Sequence, residues 1–349
     1  MGELLADHTT LRLGGPADRF LTHLDPSAWT DLVHTLQEDE TPPFVLGGGS
    51  NTLVADTGYR GTILRMATRG VIARPLGDDV VEVVAHAGEP LASLVAFSIA
   101  EGLSGIEYLG GIPGTTGAAP VQNTGAYGQQ MSDTVARITA YDWHRGHTIE
   151  IGLESCGFGY RTSIFKTKPG QWTILAVTLR LRRSESAAPV TYTHLAAALD
   201  VIPGARPPLA EAAWAVISDR TQRGLVLPMS GPDIRQAGSV FLNPQVDRAQ
   251  AAAIRAAGGS LHHEPCGVSR ASAGWLLEQV GHLPASRIGP GIYCSATRAL
   301  TLTARQQATA SAFADAVRTL ASDVHRMFDI RLRSEPVHLG QGGTSPLLV

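Results

Sequence analysis

The chain has 349 residues, 44% hydrophobic and 17% charged, a soluble globular composition too long for one compact core, so two or three lobes are expected. Its 28 Lys and Arg against 31 Asp and Glu give a formal charge of −3, which argues against the basic field of non-specific nucleic-acid binding. No apolar run approaches the roughly 18–20 residues that cross a bilayer, so no membrane span is expected.

The segment MGELLADHTT carries acidic residues where a signal peptide would carry its apolar stretch. Cys156, Cys266 and Cys294 are far apart, odd in number and without a C-x-x-C pair, so neither a zinc site nor a disulfide framework is indicated. They read as inert small hydrophobes, and a reduced, cytoplasmic enzyme is expected.

In chain order, SAWTDLVHTL (27–36) has helical spacing at Trp29, Leu32, Val33 and Leu36, and PFVL (43–46) reads as a buried strand. It runs into LGGGSN and a strand-like TLVAD. Gly47 and Gly49 fit G-x-G-x-x-G, but Thr52 takes the third place and a strand follows, so this is not a dinucleotide fingerprint. The turn is either an anion nest of backbone N–H groups or a plain connection between strands.

Residues 80–102 give a strand and the helix PLASLVAFSIAEGL. The stretch YLGGIPGTTGAAPVQNTGAYGQ (108–129) is dense in glycine and nearly uncharged. Backbone lying flat against a large planar cofactor explains it; a glycine-rich packing corner is the alternative. Residues 135–183 alternate apolar and polar with period two and read as strands around FGYRTSIFK (158–166). An Ala/Pro-rich helix-and-loop insert follows, with Tyr192 and His194.

Past LVLPM (225–229) the composition shifts, which marks a lobe boundary. RAQAAAIRAAGG and SAGWLLEQVG read as helices and LTLTA (300–304) as a strand. Phe313, Val317, Leu320, Val324 and Phe328 form one apolar helical face within 305–328. IRLRSEPVHLG (330–340) reads as a strand and QGGTSPLLV (341–349) as a frayed tail. In RQAGSVFLNP (235–244), Ser239 is no hydrolase nucleophile, because position 241 is Phe241 and no His or Asp lies in the stretch. His262-His263-Glu264 is not expected to hold a metal, since adjacent strand histidines face opposite ways.

Taken in order, LGGGSNTLVAD (46–56), IPGTTGAAPVQNTGAYG (112–128), YRTSIFK (160–166), AGSVFLNP (237–244), SAGWLLE (272–278) and SEPV (334–337) resemble the UDP-N-acetylenolpyruvoylglucosamine reductase family, in its type with a tyrosine loop and an actinobacterial-like composition. The resemblance implies an α+β chain: an FAD-binding fold of the vanillyl-alcohol-oxidase kind, with two α/β subdomains, plus a C-terminal α+β substrate-binding lobe. Its segments would be 1–70 and 71–228 for the flavin subdomains, with the tyrosine-loop insert at about 184–215, then 229–335 for the lobe and 336–349 as tail.

It further implies FAD and NADPH as cofactors, a UDP-sugar substrate, peptidoglycan precursor synthesis and a monomer. Reduced flavin N5 would pass hydride to the vinyl carbon of UDP-N-acetylglucosamine enolpyruvate, and Ser239 would give the proton. A paralogue of the same fold acting on a different substrate is the alternative. Cofactor contacts carried over are Gly47, Gly48, Gly49, Ser50, Asn51, Thr52, Pro113, Gly114, Gly117, Ala118, Asn123, Gly125, Ala126 and Val177. Substrate contacts are Tyr160, Tyr192, Arg223, Asn243 and Arg270, with arginine where lysine is usual at 223 and 270.

The implied catalytic set is Arg161, Ser239 and Glu335. A serine hydroxyl can protonate carbon only if the acceptor is strongly basic and the site dry. The planar fork of Arg161 suits the substrate carboxylate. An anion at Glu335 would repel the charge developing there, which favours its acid form.

Overall fold

The computed structural model describes residues 2–264, 267–341 and 343–346. Cys266 lies outside the described residues, while Cys156 and Cys294 are buried and free, burial pushing both thiols up to about 11. Among the described residues no helix is long and apolar enough to cross a membrane. The chain divides into two units, neither continuous in sequence. A terminal unit comprises 1–18, 49–60 and 227–349, and a central unit 19–48 and 61–226. One division between the units falls at 226/227, and the first seventy residues are shared between the units.

The central unit is organised by an antiparallel sheet in the order His147–Gly152, Val135–Asp142, Trp172–Arg183, Val80–His86, Val71–Pro75. Trp172–Arg183 is the middle strand, and its burial explains its sequence. It is largely buried on both faces through Leu179, including Thr173 and Thr178, then alternates, with Leu181 buried and Arg180 and Arg182 exposed. Helix Leu91–Ala100 buries Leu91, Leu94 and Val95 in the core that also takes Val83, Ile138 and Leu179. Phe44–Leu46 runs parallel beside residues 63–65. The Ala/Pro-rich insert forms helices Thr193–Ala198 and Leu209–Gln222. They have their own small core of Tyr108, Val190, Leu195, Leu209 and Val216.

In the terminal unit an antiparallel sheet runs Gln236–Ser239, Thr301–Ala304, Ile292–Cys294, Arg287–Gly289. Helix Ala310–Phe328 buries Phe313, Val317, Leu320 and Val324, the face read from the sequence. Each side chain contributes roughly 1.5–3 kcal/mol by leaving water. The helix starts at Thr309, whose Oγ1 accepts from Ala312 N at 3.1 Å, and Asp56 accepts from Ala310 N and Ser311 N at 2.7 and 2.9 Å.

Two expectations about the C-terminal stretch need correction. Only Val337–Gly340 of 330–340 is a regular strand, because Pro336 interrupts the pairing and leaves a single bridge, Phe241–Ser334, before it. The tail does not simply fray either: Gly343–Pro346 pairs antiparallel with Val337–Gly340, which itself pairs parallel with Thr52–Val54.

Candidate active site

Ser239 owes its setting to one extra residue. Gln236 pairs with Thr303 and Ser239 with Thr301, so three steps on one strand oppose two on the other. That is a bulge, and Gly238 adopts φ +71° in it, a left-handed value that glycine takes without strain. A Cβ at Gly238 would meet nothing within 4 Å, so conformation rather than crowding selects the glycine. Beyond the bulge Val240 N donates to Leu300 O at 2.9 Å, and Glu335 N donates to Val240 O at 3.0 Å. Ser239 and Glu335 are thereby brought to adjoining positions on neighbouring segments. The hydroxyl of Ser239 is half-buried and has no hydrogen-bond partner among the described residues.

The second half of the LGGGSN motif joins this edge. Asn51 Nδ2 donates to Glu335 O at 3.3 Å, and Val337 N donates to Asn51 O at 3.0 Å. Thr52 follows as a buried strand residue beside Val337. Thr10 N donates to Gly49 O at 3.1 Å, and Thr10 Oγ1 donates to Gln236 O at 2.5 Å. Thr9 Oγ1 is buried there without a partner. No motif in the sequence marked Thr9 or Thr10.

Asn243 and Arg270 also meet. Asn243 Oδ1 accepts from Ala273 N at 3.0 Å, capping helix Ala273–Gln279 together with Ser272, and Asn243 O accepts from Arg270 Nη1 at 3.2 Å. Arg270 is ion-paired to Glu264, so much of its charge is balanced within the protein. Among the described residues no group of His, Cys, Asp and Glu has the arrangement of a metal site. His263 instead contacts Arg255 and Ser269.

In the central unit Arg161 occupies the left-handed region at φ +53°, in a tight turn closed by Gly159 N donating to Thr162 O at 3.1 Å. Non-glycine residues hold such a conformation only where surroundings enforce it. Lys166 Nζ donates to Arg161 O at 3.1 Å, and Arg161 Nη2 donates to Gly125 O at 2.9 Å. The guanidinium of Arg161 is therefore fixed against the glycine-rich stretch, with Tyr160 preceding it in the same turn. Asn123 makes the turn rigid: its Nδ2 donates to Gly159 O at 3.2 Å, and its Oδ1 accepts from Ser132 N at 2.9 Å. The amide of Asn123, carried over as a cofactor contact, is committed to protein partners.

The two glycine-rich loops pack on each other. A Cβ on Gly48 would lie 3.0 Å from Gly114 Cα, and one on Gly47 would lie 2.6 Å from Thr115 Oγ1. Close packing of the two loops limits the side chain at these positions, and Gly117 likewise abuts Ala87. Room for a ligand shows instead in unspent polar groups. Thr115 Oγ1, Thr116 Oγ1 and Arg220 Nε are buried without partners, and Gly48 N donates to no protein acceptor among the described residues. Arg220 is 8% exposed, and its Nη2 donates to Leu225 O at 3.0 Å. A buried guanidinium and hydroxyls beside such loops suit a flavin, whose pyrophosphate and ring carbonyls accept hydrogen bonds. Pro113 is exposed, and Gly114, Ala118, Gly125 and Ala126 are half-buried along the same stretch. Val177 departs from the reading: fully buried and paired with Ala85 and Ile138, it is a core residue of the sheet.

Tyr192 and Arg223 do come together, through groups the sequence did not single out. Tyr127 O–H donates to Asp219 Oδ2 at 2.5 Å, and Arg223 Nη1 donates to the same oxygen at 3.2 Å. His194 Nε2 lies 3.3 Å from Arg223 Nη1, and the rings of Tyr127, Tyr192 and His194 have centroids 5.6–5.8 Å apart. Burial, then the bond to Asp219, pushes the Tyr127 phenol well above its ordinary range, so it remains a donor. Asp219 and Arg223 stand four apart at the end of helix Leu209–Gln222. That spacing was a legible signal for the pair.

Residues 25–152 match the FAD binding domain family, which makes the chain a flavin-binding protein of that class. Residues 230–339 match the C-terminal domain of UDP-N-acetylenolpyruvoylglucosamine reductase. The reductase of that name from Thermobifida fusca is 38% identical over 345 residues, 96% of each chain; that of Salinispora arenicola is 39% identical over 95% of this chain and 93% of its own. The crystal structure of the reductase from Thermus caldophilus superposes with a TM-score of 0.64 at 26% identity, covering 97% of both chains. The chain belongs to the UDP-N-acetylenolpyruvoylglucosamine reductase family.

Proposed function

We propose that this chain reduces UDP-N-acetylglucosamine enolpyruvate to UDP-N-acetylmuramate, with Ser239 as proton donor, Arg161 as carboxylate clamp and Glu335 as third catalytic group. FAD, when bound, takes up hydride from NADPH and supplies it to the vinyl carbon. The observation that carries the reading is the Ser239 hydroxyl, set by a bulge beside Glu335 and without a hydrogen-bond partner among the described residues. A hydroxyl with no protein acceptor keeps its proton for a substrate carbon. Arg161 enters with its fork fixed by Gly125 O, so holding the substrate carboxylate needs little reorganisation, and pre-aimed donors of this kind contribute roughly 3–4 kcal/mol each.

In the central unit Gly47, Gly48, Gly114, Thr115 and Arg220 are the groups for the cofactor; in the terminal unit they are Gly49, Ser50, Asn51 and Thr52. Tyr192 and Arg223 would bind the substrate's diphosphate, Tyr127 and Asp219 holding Arg223 in place. In the terminal unit Asn243 is proposed as a further substrate contact, with Arg270, paired to Glu264, supporting it. The segments 1–70, 71–228 and 229–335 are proposed as flavin, flavin and substrate parts. We also assign a cytoplasmic monomer, in keeping with the free buried thiols of Cys156 and Cys294.

The test uses purified protein. Flavin absorbance bands are expected, with NADPH consumption that accelerates when UDP-N-acetylglucosamine enolpyruvate is added. A yellow protein that oxidises NADPH no faster with that compound than without it would refute the substrate assignment.

A further inference from the structure

We propose that the central unit carries a second anion site, a cavity of about 570 Å3 that binds a small molecule bearing a diphosphate group. Its lining sets four guanidiniums, Arg180, Arg182, Arg183 and Arg206, against two carboxylates, Asp79 and Asp133. No ion pair or side-chain hydrogen bond of the described residues involves any of the four guanidiniums. Arg161, Arg220 and Arg223 do not line it, and Tyr127 is the one residue it shares with the Arg223 cluster.

Two further donors are left unspent beside the cavity. Gln129 and Thr134 line it and are only 7% and 9% exposed. Gln129 Oε1 accepts from Tyr108 N at 2.7 Å, which fixes the amide and leaves its Nε2 buried without a partner. Thr134 Oγ1 is buried and unpartnered as well. Buried donors of this kind are uncommon in folded proteins and point to a missing acceptor.

The walls are held in place. Glu107, fully buried, accepts from Ser104 Oγ at 2.9 Å and from Gly105 N and Ala188 N at 2.6 Å, and Tyr108 O–H donates to Ala188 O at 2.6 Å. Four guanidiniums outnumber the two carboxylates of the lining, so the complementary ligand is an anion rich in acceptors. Arg180 and Arg182 stand two residues apart on one strand face, roughly 6–7 Å at the ordinary strand rise, a separation that two linked phosphates span better than one. The volume falls in the range of roughly 300–1,000 Å3 common for small-molecule sites.

The test is isothermal titration of the FAD-loaded full chain with inorganic pyrophosphate and, separately, with ADP. The wild type is compared with Arg182→Ser, Arg206→Ser and Gln129→Glu, the last keeping the acceptor for Tyr108 while replacing the free donor. Saturable binding is expected in the wild type, weakened about tenfold or more in each variant, the usual loss for a charge-assisted hydrogen bond. The two exposed arginine variants should turn over as the wild type does. A tighter ADP isotherm assigns the site to a nucleoside diphosphate, and a tighter pyrophosphate isotherm assigns it to the free anion. Absence of saturable binding, or equal affinity in wild type and arginine variants, would overturn the site and leave the reductase reading intact.

Discussion

Around Ser239 the geometry is set by backbone: a bulge at Gly238, Val240 bonded on one side to Leu300 and on the other to Glu335, and Asn51 anchored on the Glu335 carbonyl. Around Arg223 it is set by side chains: Tyr127 and Arg223 converge on one oxygen of Asp219, with His194 alongside. The backbone design tolerates change in surrounding side chains but depends on particular residues where the chain turns or reacts. The side-chain design spreads its function over several groups, each replaceable at moderate cost. Substitutions in the first region should therefore act on the chemical step, and substitutions in the second on binding.

The largest effect should come from Ser239→Ala. Losing a general acid costs roughly 10²–10⁴ in rate, so stopped-flow traces should show flavin reduction by NADPH intact and reoxidation by the enolpyruvyl substrate slowed by that factor. Equal damage to both half-reactions would break the comparison, since it would make Ser239 a structural residue. Arg161→Lys comes next. Lysine keeps the charge but loses the fork and the bond to Gly125 O, and turnover should fall about a hundredfold. Wild-type turnover in that variant would remove the clamp.

Tyr127→Phe sharpens the other side. Removing the 2.5 Å bond loosens Asp219 and with it Arg223, so KM for the UDP substrate should rise about tenfold with kcat nearly unchanged. A fall in kcat at constant KM would show that this cluster, too, serves the chemical step. Gly238→Ala should cost about 1 kcal/mol in denaturant unfolding from the φ of +71° alone, because a Cβ there meets no neighbour. A substantially larger loss would mean that the bulge itself gives way.

The same contrast explains what could be read from the sequence. Gly238 and Ser239 fall in one short motif because a bulge recruits neighbours along the chain, while Asn51 and Glu335 sit in two further motifs that only the ordered resemblance tied to it. The apolar face of Ala310–Phe328 was legible for a similar reason: one helix supplies the entire period. Tyr127, His194 and Asp219 come from three separate segments, and nothing local to any of them announces the other two. Arg220 Nε and Thr9 Oγ1 stand out only in the structure, where they are buried without a partner among the described residues. The glycines at 47, 48 and 114 leave two readings open in the sequence, because close packing of two loops and close approach of a ligand demand the same missing side chain.

The smallest effect tests whether a side-chain device in the backbone-dominated terminal unit behaves as a local one. Burial works to raise the pKa of Asp56, but hydrogen bonds from Ala310 N, Ser311 N and the Ser311 hydroxyl outweigh it and hold the carboxyl below its ordinary range. A folded-state pKa below the unfolded one means that the ionised form stabilises the fold. That contribution is complete above the unfolded value of about 3.9 and is lost as the pH falls through the folded one. Asp56→Asn keeps an acceptor for the helix start but removes the charge facing the helix dipole, about 0.3–1 kcal/mol and toward the lower figure for so exposed a group. Thermal melts should therefore place the variant slightly below the wild type at pH 7 and bring the two curves together as the pH drops below about 3.9. A gap that persists or widens in acid would show that Asp56 acts through packing rather than charge.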